Sequence, residues 1–224
     1  MADNAADKII IHHLETSRSH RIIWLLEELG LEYEIKTYGR DKNMRADKAL
    51  REVHPLGKSP VVTINDGPAL AESAAIIEEI LDRYGEGRLR PEPGSDDYRR
   101  YRYWMFYAEG SMVPPLLVKF ITVQLRTGPM PFFVRPIAKS VAGQIDGKFT
   151  DKELANHFDF VEKSLSEHTY FAGEDFTGAD IQMGYPVQAC VERGLARNHP
   201  KMHAWVERIK SRPAYKKAEE LGGP

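Results

Sequence analysis

Three short stretches of this chain carry side chains that could do chemistry. The first is His13-Leu14-Glu15-Thr16-Ser17-Arg18-Ser19-His20-Arg21. A hydroxyl that donates to sulfur favours thiolate over thiol. A free thiol has a pKa of ~8.5, so only a few per cent is ionised near neutrality, and lowering that pKa speeds any reaction in which sulfur attacks. Ser and Thr are also the usual helix N-caps. Ser19 is the better cap, which leaves Thr16 and Ser17 nearer the strand end. The second stretch is His54-Pro55-Leu56-Gly57-Lys58-Ser59-Pro60-Val61. A proline at the entrance of a strand is either cis, turning the Ser59 N–H and C=O outward to pair with a peptide ligand like an added strand, or trans at an edge. The third is Ala71-Glu72-Ser73, opening a helix. Helix N-termini present free N–H groups and partial positive charge, so a carboxylate fits at Ser73 and an ammonium beside Glu72. Read alone, the pair is better explained as a helix cap.

Elements must position these stretches. Residues 8–13 read as a buried strand, and 19–29 carry Ile22, Ile23, Leu25, Leu26 and Leu29 at helical spacing, with Gly30 suited to the C-cap. Tyr33–Lys36 is a second strand, and 40–51 a charged loop with a short helix. Val61–Ile64, a turn at Asn65-Asp66-Gly67, and Pro68-Ala69-Leu70 form a hairpin. Residues 73–84 are a further amphipathic helix, so the order is β-α-β-α-β-β-α. A Gly/Pro-rich stretch over 85–95 is the linker between a domain at 1–84 and one at 96–224. After it the strand signals vanish. Helices are expected over 96–124 with a kink at Pro114-Pro115, then 132–146, 150–168, 179–194 and 200–211, with a short tail.

Composition narrows the class. Apolar residues make up 42% of 224, enough for a real core, and 31 basic residues against 33 acidic leave a net charge of -2. That balance gives no electrostatic footprint for nucleic acid or an anionic membrane. No apolar run would span a bilayer, and the acidic start is unlike a signal peptide, so a cytoplasmic protein without membrane insertion is expected. Cys190 is the sole cysteine, which excludes an intrachain disulfide and a cysteine metal cluster, so no metal is expected. It reads as a buried helix residue beside Val187 and Val191. Any thiol chemistry must use a ligand's thiol.

In order and spacing, the three stretches resemble the glutathione transferase family, from about Ile9 to Tyr215. Phe176-Thr177-Gly178-Ala179-Asp180-Ile181, with Thr177 capping and Asp180 returning the bond, is a fourth match. Phe106-Tyr107-Ala108-Glu109-Gly110-Ser111 with Pro114-Pro115 resembles the fungal and bacterial subgroup typified by the smaller yeast members. The resemblance implies an α/β thioredoxin-like N-terminal domain followed by an all-α C-terminal domain. It also implies a homodimer that uses glutathione as co-substrate against small hydrophobic electrophiles or organic hydroperoxides.

By that resemblance Ser59 pairs backbone to backbone with the cysteinyl part of glutathione, with Pro60 cis. Glu72 and Ser73 hold the γ-glutamyl end, and Lys58 takes the glycyl carboxylate, with His54 and Arg40 as further candidates. No Tyr or Cys stands in the first loop, so the activating hydroxyl is Ser17, with Thr16 second, and Arg18 adds positive potential. The electrophile is expected against the first long helix of the helical domain, at Tyr103, Phe106, Tyr107 and Met112, with Glu109 and Gly110 in the same region. A non-catalytic glutathione-binding protein and a glutathione-dependent isomerase are alternatives on the same fold; the isomerase would need a dense arginine cluster.

Overall fold

The computed structural model describes residues 7–15, 17–41 and 45–222. A four-stranded sheet is formed by β1 (Ile9–Leu14), β2 (Glu34–Tyr38), β3 (Val61–Ile64) and β4 (Leu70–Ala71) in the order β2-β1-β3-β4. β1 and β2 run parallel, with Ile11 opposite Ile35, while β3 is antiparallel to both β1 and β4. The helices of this half are α1 (His20–Leu29), α2 (Lys48–Val53) and α3 (Ser73–Tyr84). This is the α/β half that the alternation of patterns implied, with the thioredoxin-like order that the resemblance implied.

Successive side chains of a strand point to opposite faces, which sorts β1 cleanly. Ile9 and Ile11 join the main core with α1 and α3, while Leu14 packs with Tyr38 and Leu50 in a small second cluster under α2. The adjacent histidines therefore part. His12 bonds Tyr38 Oη at 2.8 Å, and His13 bonds Ser19 at the start of α1.

The helical half contains α4 (Asp96–Tyr107), α5 (Val113–Thr127), α6 (Arg135–Ile145), α7 (Asp151–Glu167), α8 (Gly178–Glu192), α9 (Pro200–Ser211) and α10 (Pro213–Gly222). At the kink expected near the two prolines the chain makes a π-helical turn over Ala108–Met112, after which α5 starts with proline in its first turn. Proline lacks an N–H, and the first turn of a helix has no use for one, so the chain continues. A second π-helical turn, Asp146–Thr150, joins α6 to α7 where two separate helices were expected. It buries Asp146, whose carboxylate accepts from Thr122 Oγ1 at 2.7 Å and Lys119 Nζ at 3.0 Å.

The two halves share a core. α1 is buried nearly all round because the sheet, α3, α8 and α10 surround it. Trp24 meets Tyr215 of α10 edge to face at 5.0 Å, and Glu28 receives both Trp24 Nε1 and the guanidinium of Arg212. α8 opens on the expected capping box: Ala179 N–H donates to Thr177 Oγ1, and Thr177 N–H donates to Asp180 at 2.9 Å. The 85–95 stretch is pinned to α8, since Gly178 N–H donates to Leu89 C=O at 2.8 Å. No helix among the described residues is long and apolar enough to cross a membrane.

Candidate functional site

Topology alone gathers the three stretches at one end of the sheet. β3 is antiparallel to β1, so its first residues lie beside the last of β1; β4 is antiparallel to β3, so its last residue returns there and leads into α3. The loop after Leu14, the Ser59-Pro60 entrance and the Glu72-Ser73 corner therefore share one rim.

Side chains fix that rim. The Ser59-Pro60 peptide is cis. Ser59 Oγ donates to His12 C=O at 2.9 Å and accepts from Leu14 N–H at 3.3 Å, bridging the end of β1 to the start of β3. Its own N–H and C=O enter no hydrogen bond among the described residues, which leaves them available to a ligand. Lys58 beside it is exposed. His54 ends α2; its C=O accepts from Gly57 N–H at 2.8 Å, and its buried Nδ1 has no partner among the described residues. Arg40 donates to Glu15 C=O at 2.9 Å, which ties the β2 exit to the hydroxyl loop.

At the corner, Glu72 is exposed and holds φ 73°, a left-handed backbone that side-chain-bearing residues rarely adopt. Such conformations cost about 1–3 kcal/mol and cluster at binding sites. Glu72 makes no capping bond with its side chain, so the carboxylate is not serving the helix. Ser73 is buried at the first turn of α3.

Ser17 Oγ lies 2.8 Å from Ser19 Oγ and accepts from Ser19 N–H at 3.3 Å. Ser19 Oγ in turn lies 2.7 Å from His13 Nδ1. Ser19 occupies the N-cap position of α1, as expected, but its hydroxyl caps nothing. The hydroxyl is drawn to Ser17 and His13, and only the Ser19 carbonyl serves the helix, accepting from Ile22 and Ile23. Burial holds the His13 imidazole below its ordinary range, so it is neutral at pH 7. Thr16 lies outside the described residues.

Beside Ser17 is a cavity of about 290 Å³ between the two halves, lined by Arg18, His20 and Arg21 on one side and Tyr185 and Gln188 of α8 on the other. Arg18 and Arg21 both reach the Glu109 carboxylate, at 2.8 and 3.0 Å, and Arg21 also donates to Gln182 at 2.8 Å. Two guanidiniums share one carboxylate, which leaves positive potential next to Ser17. Arg21 is only 2% exposed, and its Nε and Nη2 have no partner among the described residues.

The four aromatic and methionine residues expected to receive the electrophile do not line this cavity. Tyr103, Phe106 and Tyr107 border a separate open groove with Tyr98 and Arg102, while Met112 is fully buried. The reason is helical phase. Tyr101, Trp104, Met105 and Ala108 fill the core, turning Tyr103 and Phe106 outward. Glu109 alone of this segment's expected residues bonds the Ser17 loop. Cys190 is buried as expected, and burial pushes its thiol up to about 12.

His13, Ser19 as a network member and Arg21 were absent from the functional reading of the sequence. A signal existed for two of them. His13 continues the inward parity of Ile9 and Ile11, and Arg21 sits four residues before Leu25 on the buried face of α1. A charged residue on an apolar stripe asks for a buried partner.

A family model described as "Glutathione S-transferase, N-terminal domain" matches residues 17–83, and one described as "Glutathione S-transferase, C-terminal domain" matches 129–213. Glutathione S-transferase 1 of Saccharomyces cerevisiae is 36% identical over 220 residues, covering 95% of this chain and 94% of its own. Glutathione S-transferase 3 of Schizosaccharomyces pombe is 37% identical over 213 residues, covering 95% and 87%. The crystal structure of a glutathione S-transferase from Actinobacillus pleuropneumoniae is similar with a TM-score of 0.78 and 36% identity, over 96% of this chain and 92% of that one.

Proposed function

The chain belongs to the glutathione S-transferase family and resembles its fungal members, and from that premise we propose how its own residues hold glutathione and activate it. The convergence of the hydroxyl loop, the cis Ser59-Pro60 turn and the Glu72-Ser73 corner on one rim carries the reading. Ser59 offers its free N–H and C=O to the cysteinyl residue of glutathione, as an edge strand would. The α-carboxylate of the γ-glutamyl end sits on the N-terminus of α3 at Ser73, where dipole and N–H groups favour an anion. Its ammonium meets Glu72. Lys58 receives the glycyl carboxylate, with His54 near the same turn.

These contacts bring the sulfur to Ser17. A donated hydrogen bond to sulfur, with the surplus positive potential of Arg18 and Arg21 close by, favours the thiolate. The thiolate attacks an electrophilic carbon, the new C–S bond forms, and the leaving group departs with its electron pair. An organic hydroperoxide is an alternative acceptor for the same thiolate. The acceptor enters through the cavity beside Ser17. The protein works as a cytoplasmic homodimer, without a metal.

Steady-state conjugation of glutathione to a generic aryl halide tests the reading. Wild type is expected to turn over, and Ser17→Ala to lose most of kcat while still binding glutathione. Glutathione binding without turnover of any aryl halide or hydroperoxide would leave a non-catalytic binding protein.

A further inference from the structure

We propose that His13, acting through Ser19, sets the direction of the Ser17 hydroxyl so that it donates to the glutathione sulfur. The proposal rests on the assignment of Ser17 as the activating hydroxyl. His13 and Ser19 are positioning residues, since neither touches the ligand.

A hydroxyl has one proton to give and two lone pairs to receive with. Ser17 Oγ is 2.8 Å from Ser19 Oγ, and this bond can run either way. If Ser17 donates to Ser19, it has nothing left for sulfur, and its oxygen would face a thiolate with lone pairs alone. If Ser19 donates to Ser17, then Ser17 Oγ accepts twice, from Ser19 Oγ–H and from Ser19 N–H at 3.3 Å, and its single proton is free for the ligand. The useful direction therefore requires Ser19 to have its own proton pointed at Ser17. That holds when the third group in the row donates to Ser19. His13 Nδ1 lies 2.7 Å from Ser19 Oγ, and an imidazole protonated on Nδ1 donates there. The row then reads His13 Nδ1–H to Ser19, Ser19 O–H to Ser17, Ser17 O–H to sulfur.

Three further observations favour a built network over incidental packing. Ser19, at the N-cap position of α1 with a helical backbone that gives its side chain no capping bond, spends its hydroxyl on this row instead. Ser19 is fully buried and His13 nearly so, where hydrogen bonds are strong and their direction is held. The His13 ring is also clamped by the end of α10: a Cβ on Gly222 would fall 2.9 Å from His13 Cε1. The charged and titratable groups bearing on His13 are Glu15 on its own loop and His20 on α1; burial outweighs the Glu15 charge, so the ring is neutral and its tautomer decides the polarity.

The pH dependence of thiolate absorbance for glutathione bound to the full-length protein tests this. His13→Leu and Ser19→Ala are expected to raise the bound thiol's pKa by about one unit, a tenfold loss of thiolate below it. Ser17→Ala should raise it at least as far, and adding His13→Leu to Ser17→Ala should raise it no further. His13→Asn, which keeps a donor near the Nδ1 position, should restore most of the shift. If Ser17→Ala raises the pKa while His13→Leu and Ser19→Ala leave it at the wild-type value, the network proposal is overturned and Ser17 stands. If Ser17→Ala changes nothing, the assignment of Ser17 falls and the network with it. Should His13→Leu fail to fold, Ser19→Ala alone decides, because it removes the middle hydroxyl and no ring.

Discussion

Arg21, which lines the cavity, and Glu109 join the two halves of the molecule, Nη1 to Oε1 at 3.0 Å, with Arg21 almost wholly buried. Arg18 closes on the other carboxylate oxygen. Breaking one side of a buried pair leaves the other charge uncompensated, which costs about 3–5 kcal/mol. Glu109→Ala is expected to lower the free energy of unfolding, read from urea denaturation, by an amount toward the lower end of that range, since the Glu109 side chain is 30% exposed. Arg21→Met with Glu109→Gln should be closer to wild type than Glu109→Ala, because no unpaired buried charge remains. Equal loss in both would mean that the contact matters for shape and not for charge.

Ser59 divides its labour. Its side chain ties β1 to β3, and its main chain is free. Ser59→Ala should cost about 1–2 kcal/mol, since His12 C=O and Leu14 N–H lose a partner. The KM for glutathione should change less than a few-fold. A KM rise of a hundredfold with unchanged stability would move the contact with glutathione from the main chain to the hydroxyl.

Glu72 stands at positive φ with its carboxylate unused by the helix. Glycine adopts that backbone without steric cost. Glu72→Gly is therefore expected to keep or raise the melting temperature while raising the KM for glutathione at least tenfold. Loss of stability together with affinity would make Glu72 a structural corner only.

Two buried groups titrate in opposite senses as the pH falls. Burial pushes His20 down from 6.5 to about 4, so the folded protein binds the fewer protons, and the stability this lends is present above 6.5 and lost as pH falls through 4. Burial raises Asp180 from 3.8 to about 6, so its contribution is present below 3.8 and lost as pH rises through 6. Each shift corresponds to about 3 kcal/mol, and the two largely offset one another in wild type. His20→Gln removes only the acid-sensitive part. Its urea midpoint should gain on wild type between pH 6.5 and pH 4. Parallel pH profiles for the two proteins would rule out His20 as an acid-labile site.

The sequence was legible where local pattern and long-range structure agree. Ile9 and Ile11 announced β1, Ile22 to Leu29 announced α1, and Thr177 with Asp180 announced the start of α8, because alternation, helical spacing and a capping box are each local. The cis bond at Ser59-Pro60 followed from order and resemblance together, since proline at a strand entrance fits either isomer. What stayed hidden depends on contacts far along the chain. Ser19 looked like a cap until His13 and Ser17 claimed its hydroxyl. Arg21 finds Glu109 and Gln182 at separations no pattern reveals. On α4, residue types suggested an aromatic wall, but the phase of the helix sends Tyr103 and Phe106 to a different groove.

The most direct test of the central claim is a crystal structure of this protein with reduced glutathione. The expected complex has the γ-glutamyl carboxylate at Ser73, the ammonium at Glu72, the cysteinyl main chain paired with Ser59, and the sulfur within hydrogen-bonding reach of Ser17 Oγ. Glutathione held at that rim with its sulfur turned to Thr16 or to solvent would contradict the assignment of Ser17, and glutathione bound elsewhere would contradict the site as a whole.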